Sequence, residues 1–183
     1  MDHAKEYAPT DGIEAKEYRG CTSNFTVMDK YGNVISQTQT IRNWWGSGVV
    51  IPGRGFIMNN AMADFSAKAG VRTTQGLAYG MANAIRPGKT PLSSMSPTIV
   101  MKEGKPVLSV GAAGGPRIIT STLQLIINNL DYGMMMDSAV KHPHMCCLTL
   151  NQGLELEEGF SPDTIKLLAA KGHIIKNTTD FGE

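Results

Sequence analysis

Cysteine is scarce in this chain: three residues in 183, at Cys21, Cys146 and Cys147. An odd, small set of thiols excludes a disulfide framework and leaves the redox compartment open. An excess of charge of one sign is lacking too. Seventeen basic residues stand against 16 acidic ones, for a net charge of +1. That balance points away from nucleic acid and from a membrane surface as partners. Long apolar runs are missing, and none approaches the roughly 20 residues of a membrane-spanning helix. Residues 1–19 are charged and polar and contain no apolar core segment, so they do not read as a secretory signal. A signal further upstream, in a longer precursor, is compatible with this.

What is present is enough for one domain with a sizeable core. The hydrophobic share is 42%, an ordinary globular value. Glycine is plentiful, at 20 residues against two tryptophans. It gathers in turns and in Gly111-Ala112-Ala113-Gly114-Gly115, a place where backbone must come close to something.

Residues 1–20 have no apolar periodicity and read as a leader or linker. Residues 22–29 and 33–41 are rich in Thr, Val, Ile and Phe, with Lys30-Tyr31-Gly32 between them. This predicts a hairpin with Gly32 in the left-handed position. If Asp29 pairs with Asn33, Thr22 falls opposite Thr40. One face then carries Thr22, Asn24, Thr26, Ser36, Thr38 and Thr40, and the other carries Phe25, Val27, Ile35 and Ile41.

A second hairpin is expected over 48–59 around Pro52-Gly53-Arg54-Gly55, and a third over 97–110 around Glu103-Gly104-Lys105. Residues 61–96, poor in aliphatic side chains, read as a functional or covering loop. Pro116 opens a helix to about Leu130, on which Ile119, Leu123, Ile126, Ile127 and Leu130 share a face. Ser161-Pro162-Asp163 caps a last helix that ends at Lys171-Gly172, followed by a short strand over 173–176. Strands followed by helices, with little regular alternation, suggest a layered α/β (α+β) protein with largely antiparallel sheets.

Several motifs occur in a fixed order. They are Thr22-Ser23-Asn24-Phe25, Asp29-Lys30-Tyr31-Gly32-Asn33, Gly46-Ser47-Gly48, Asn59-Asn60-Ala61-Met62-Ala63-Asp64-Phe65-Ser66, Pro91-Leu92-Ser93-Ser94-Met95-Ser96-Pro97-Thr98, Gly114-Gly115-Pro116-Arg117-Ile118-Ile119-Thr120 and Glu158-Gly159-Phe160-Ser161-Pro162-Asp163. This ordered set resembles the small subunit of gamma-glutamyltranspeptidases. The resemblance implies an N-terminal nucleophile hydrolase, a four-layer αββα sandwich of which this chain is about half. It also implies a precursor that cuts itself before Thr22. Residues 1–21 would precede the cut, and 22–183 would form the catalytic small-subunit domain, ending short of the family's usual C-terminus. The large subunit would be the partner and a small gamma-glutamyl molecule the substrate. Family members are often periplasmic, secreted or on the cell surface.

The resemblance also implies roles. Thr22, once cut free, gains an α-amine with a pKa of about 7.7–8.0, a local base for its own hydroxyl. Otherwise it is a strand threonine. Thr40 matches a second threonine that orients the first, or else forms a plain cross-strand pair. Gly114 and Gly115 match amides that approach a tetrahedral intermediate ahead of a helix N-terminus. Ser93 and Ser94 match the pair that holds the substrate α-carboxylate, and Asp64 matches the residue that binds its α-ammonium. An arginine for the carboxylate would come from the large subunit.

The chain also departs from the family. Ser23-Asn24 replaces the usual threonine-histidine, Arg42 stands where Asn is frequent, and Ala61 stands where many members carry Gln or Glu. Arg42 is placed to pair with an added carboxylate or to form an ion pair. An acylase, a poly-gamma-glutamate-cleaving relative and an inactive or structural subunit stand as alternatives. His142, His144, Cys146 and Cys147 have the look of metal ligands on an extended segment. No second ligand pair accompanies them, and neither a metal nor a cofactor is expected.

Overall fold

The computed structural model describes residues 21–68, 80–148 and 153–178. The expected leader over 1–20, part of the expected loop (69–79) and the last residues of the chain lie outside them.

The first hairpin pairs β1 (Thr22–Met28) with β2 (Val34–Thr40), antiparallel. Its turn sets the register. The Asp29 carboxylate accepts from the Tyr31 amide at 2.8 Å, the Asn33 amide at 2.9 Å and the Asn33 side chain at 2.7 Å. The Asn33 side-chain bond is the largest influence holding the Asp29 carboxyl below its usual range. Gly32 takes a φ of 85°, as the turn requires. With the turn fixed, Thr22 lies opposite Thr40 and Asn24 opposite Thr38, the pairing read from the sequence.

The hairpin over 48–59 forms as well. Ile51 N donates to Phe56 O and Met58 N to Val49 O, around a single bridge between Val50 and Ile57. Gly46 packs against the Met58 carbonyl so closely that a Cβ would overlap it. The third hairpin joins β3 (Thr98–Lys102) and β4 (Lys105–Val110). Its turn is tighter than the expected three residues. Lys102 pairs with Lys105, and Glu103 and Gly104 both have positive φ, 52° and 76°. These angles fit the two-residue turn whose twist matches paired strands.

Alternation along β4 gives it two working faces. Leu108 and Val110 point into a core with Leu125 of α1 (Ile118–Leu130) and Ala139 of α2 (Met136–Lys141). Ser109 points the other way and its hydroxyl meets that of Thr26 in β1 at 2.7 Å. The order is therefore helices, β3–β4 sheet, β1–β2 hairpin. The far side of the hairpin is open: Phe25, Val27 and Ile35 are 40%, 56% and 60% exposed.

Helix α1 corrects the expected apolar face. The buried side is Ile118, Ser121, Thr122 and Leu125, whereas Ile119, Leu123 and Leu130 are exposed. The helix is apolar on more than one side, so periodicity could not say which side meets the sheet.

The C-terminal region departs further from expectation. Strands β5 (Met145–Cys146) and β6 (Leu154–Leu156) were not anticipated, and β7 (Ile175–Asn177) joins β6 in parallel. The crossover is α3 (Pro162–Ala170), capped as read from the sequence, with Ser161 Oγ accepting from Thr164 N at 3.1 Å. A parallel pair needs such a crossover. No helix among the described residues is long and apolar enough to cross a membrane.

Candidate active site

The Thr22–Thr40 pair is the centre of the site. Thr22 Oγ1 donates to Thr40 Oγ1 at 3.1 Å. Thr40 Oγ1 also accepts from the Arg42 amide at 2.8 Å and donates to the Cys21 carbonyl at 3.4 Å. A hydroxyl has one proton to give and two lone pairs to receive, so these bonds use its whole capacity. The carbonyl it reaches belongs to the peptide bond that joins Cys21 to Thr22.

The chain bends sharply after β2. Arg42 has a φ of 74°, uncommon for a residue with a side chain. Cys21 N bonds to Arg42 O at 3.3 Å across the bend, and Asn43 N bonds to Asn60 Oδ1 at 3.1 Å. The bend aims the Arg42 guanidinium at Asp64 in the 3₁₀ turn Ala61–Asp64. Arg42 Nε lies 2.6 Å from Asp64 Oδ1, with Nη1 on Asn43 Oδ1 at 3.2 Å and Nη2 on Ala63 O at 3.4 Å. The carboxylate that Arg42 meets is thus Asp64 itself. Of the two readings of Arg42 from the sequence, the structure shows the ion pair, and its partner is Asp64, which the resemblance places at the substrate.

Asp64 connects onward. Its carbonyl accepts from Asn83 Nδ2 at 2.7 Å, and Asn83 Oδ1 accepts from the Leu92 amide at 2.9 Å. Asn83 therefore clasps the Asp64 turn to the loop that carries Ser93 and Ser94. Ser93 Oγ accepts from Met95 N at 3.2 Å, which leaves its proton to donate elsewhere. Ser94 donates to Gly115 O at 2.7 Å. Polar contacts thus run from Thr22 through Thr40, Arg42, Asp64 and Asn83 to the Leu92 amide, and two residues further along that loop Ser94 bonds to Gly115.

Gly114 and Gly115 have φ of 112° and 61°. Their carbonyls are engaged by Arg117 N and Ser94 Oγ, respectively. They precede α1 by the 3₁₀ turn Gly115–Arg117, so the helix proper starts later than Pro116 suggested. Thr26 meets Ser109, and Asn24 sits where a Cβ on Gly111 would be. β1 and β4 therefore run in opposite senses past each other. In sequence, the positions one step of two residues further along each are Thr22 and Ala113, next to Gly114.

Sequence reasoning missed Asn83 and Asn60. Both lie in irregular segments, where no periodicity distinguishes a clasp from a loop amide. The His142–Cys147 segment is taken up by structure: His144 Nδ1 lies 3.1 Å from Glu157 Oε2, and Cys146 is buried, which pushes its thiol pKa up. No group of three or more potential metal-binding side chains occurs among the described residues.

Comparison with known proteins agrees with this geometry. Residues 1–183 match the family model for gamma-glutamyltranspeptidase. A glutathione hydrolase proenzyme of Escherichia coli is 49% identical over 151 residues, 82% of this chain and 26% of the relative. An acylase ACY 1 proenzyme of a Pseudomonas species is 38% identical over 173 residues, 94% of this chain and 28% of the relative. The chain spans about a quarter of the length of these relatives. A solved gamma-glutamyltranspeptidase of Helicobacter pylori superposes with a TM-score of 0.81 at 44% identity, covering 85% of this chain and 84% of that one. The fold is the α+β arrangement of the N-terminal nucleophile hydrolases. A hairpin that pairs two threonines, a serine loop tied to a glycine pair, and a family match along the whole sequence lead to one assignment: this chain belongs to the gamma-glutamyltranspeptidase family.

Proposed function

We propose that the chain is the nucleophile-bearing part of an enzyme that transfers or hydrolyses gamma-glutamyl groups through an acyl-enzyme on Thr22. The observation that carries this reading is the Thr40 hydroxyl, bonded at once to the Thr22 hydroxyl and to the Cys21 carbonyl. In the uncut chain Thr22 Oγ1 attacks that carbonyl, and the C–N bond breaks as the acyl group passes to oxygen. Water then hydrolyses the ester. Cys21 leaves as a carboxylate and Thr22 keeps a free α-amine. Relatives named as proenzymes support such processing.

The freed amine takes the hydroxyl proton as Thr22 attacks the donor amide. The Gly114 and Gly115 amides face the oxyanion of the tetrahedral intermediate. Its collapse breaks the amide C–N bond, and the proton goes to the departing amine. Water or an amine acceptor then takes the acyl group. Ser93, with its uncommitted proton, receives the donor α-carboxylate; Ser94 joins it by turning its proton from Gly115 O to the carboxylate, and Asp64 receives the α-ammonium. Arg42 holds Asp64 rather than the substrate. The large subunit of the same family is the partner: it supplies the arginine for the carboxylate and covers the open face of the hairpin. A second reading, a related acylase, is favoured by the Arg42–Asp64 pair and by the similarity to an acylase proenzyme.

Co-production with the large subunit tests the proposal. Intact mass should show a cut between Cys21 and Thr22, and the cut protein should hydrolyse a gamma-glutamyl anilide. Thr22→Ala should abolish both. Hydrolysis that survives Thr22→Ala overturns the mechanism. A folded, uncut and inactive chain points to a structural subunit.

A further inference from the structure

We propose that Arg42 sets the choice of acyl donor by neutralising Asp64, so that donors without an α-ammonium are used about as well as gamma-glutamyl donors. The inference rests on the acyl-transfer reading and concerns only the far end of the donor.

A lone carboxylate selects an ammonium because it has a charge to satisfy. Asp64 has no such vacancy on Oδ1, where the guanidinium sits at 2.6 Å. The Arg42 side chain is 15% exposed and that of Asp64 34%, so water screens the guanidinium end of this pair less than it would a surface pair. All its nitrogens are bonded, to Asp64, Asn43 and Ala63, which fixes the charge in place. The neighbouring amide oxygen, Asn43 Oδ1, is already engaged by the Arg42 guanidinium. Ala61 and Asp64 are three apart in a 3₁₀ turn, where such residues eclipse. The position beside the carboxylate is therefore a methyl group, with no oxygen to share an ammonium. The subsite is close to neutral and partly apolar. An incoming ammonium would meet the guanidinium charge as well as Asp64, and would lose its water for little return. A glutaryl group, which has a methylene where glutamate has its ammonium-bearing carbon, brings no such cost.

Arg42 acts here as a positioning residue, through Asp64. The test compares gamma-glutamyl and glutaryl anilides on the processed complex with the large subunit. The native protein should show kcat/KM values for the two within about tenfold of each other. Arg42→Asn is the informative variant, because Asn tolerates the left-handed backbone at this position. It should move the ratio toward gamma-glutamyl by about tenfold or more, chiefly through KM. Arg42→Lys keeps the charge and should stay near the native ratio. A merely structural role would lower both donors equally in both variants. Native preference for gamma-glutamyl by about a thousandfold overturns the inference without any variant, as does an unchanged ratio in Arg42→Asn protein shown by mass to be cut. Failure of the native complex on both donors is a different result: it overturns the acyl-transfer reading, and this inference with it.

Discussion

The two faces of the β1–β2 hairpin are built on opposite plans. One is polar and partly covered: Asn24 and Thr26 look toward Gly111 and Ser109, and the side chains of Thr22, Asn24 and Thr26 bond to Thr40, Thr38 and Ser109. The other is apolar and open, with Phe25, Val27 and Ile35 exposed. An ordinary two-layer sheet does the reverse, turning its apolar face inward. The inversion separates two tasks. The inner face spends its packing surface on hydroxyls and amides that hold the proposed nucleophile in place, and the outer face is left to gain stability from burial. That fits a hairpin sandwiched between two layers, one of which the described residues provide.

The comparison can be broken from either side. The largest effect belongs to the inner face. Thr40→Val keeps the shape but removes every bond of the hydroxyl. Cutting at Cys21–Thr22, followed by intact mass, should slow by about a hundredfold or more, whereas Thr40→Ser should cut at close to the native rate. Equal rates in the valine variant would make Thr40 a simple cross-strand partner. A change on the outer face should act on association instead. Phe25→Asp should weaken capture of the large subunit by about tenfold or more, since a buried side chain of this size is worth about 1.5–3 kcal/mol. Co-purification reads this, and undiminished capture would mean that the open face is not the docking face.

The smallest effect concerns the turn shared by both faces. The Asp29 carboxyl is held below its ordinary value, so its contribution is present above the unfolded value of 3.8 and fades as pH falls through the lower folded value. Amide exchange at Asn33 should therefore quicken only in strong acid, and a loss already complete at neutral pH would exclude Asp29 as the anchor.

How far the sequence could be read follows the same division. The hairpin register was legible because Asp29 and Gly32 fix the turn and a period of two does the rest. The α3 cap was legible for the same reason, a local bond between Ser161 and Thr164. Strands β5 and β6 were not, since two or three residues carry no measurable alternation. The exposed face of α1 was misleading because apolar character says that a surface is to be covered, not by what. Within the site, Thr22 with Thr40 could be foreseen from pairing geometry. Arg42 with Asp64 could not, because their meeting depends on a left-handed bend after β2 and a 3₁₀ turn 22 residues away.

The Thr40 hydroxyl carries one more implication. Its single proton rests on the Cys21 carbonyl while the chain is whole. Under the proposed cut between Cys21 and Thr22, that proton would lose its acceptor and the Arg42 carbonyl would lose the Cys21 amide. The contacts that would favour the cut are the ones it would dismantle, so the proposed maturation would work as a latch that does not reopen.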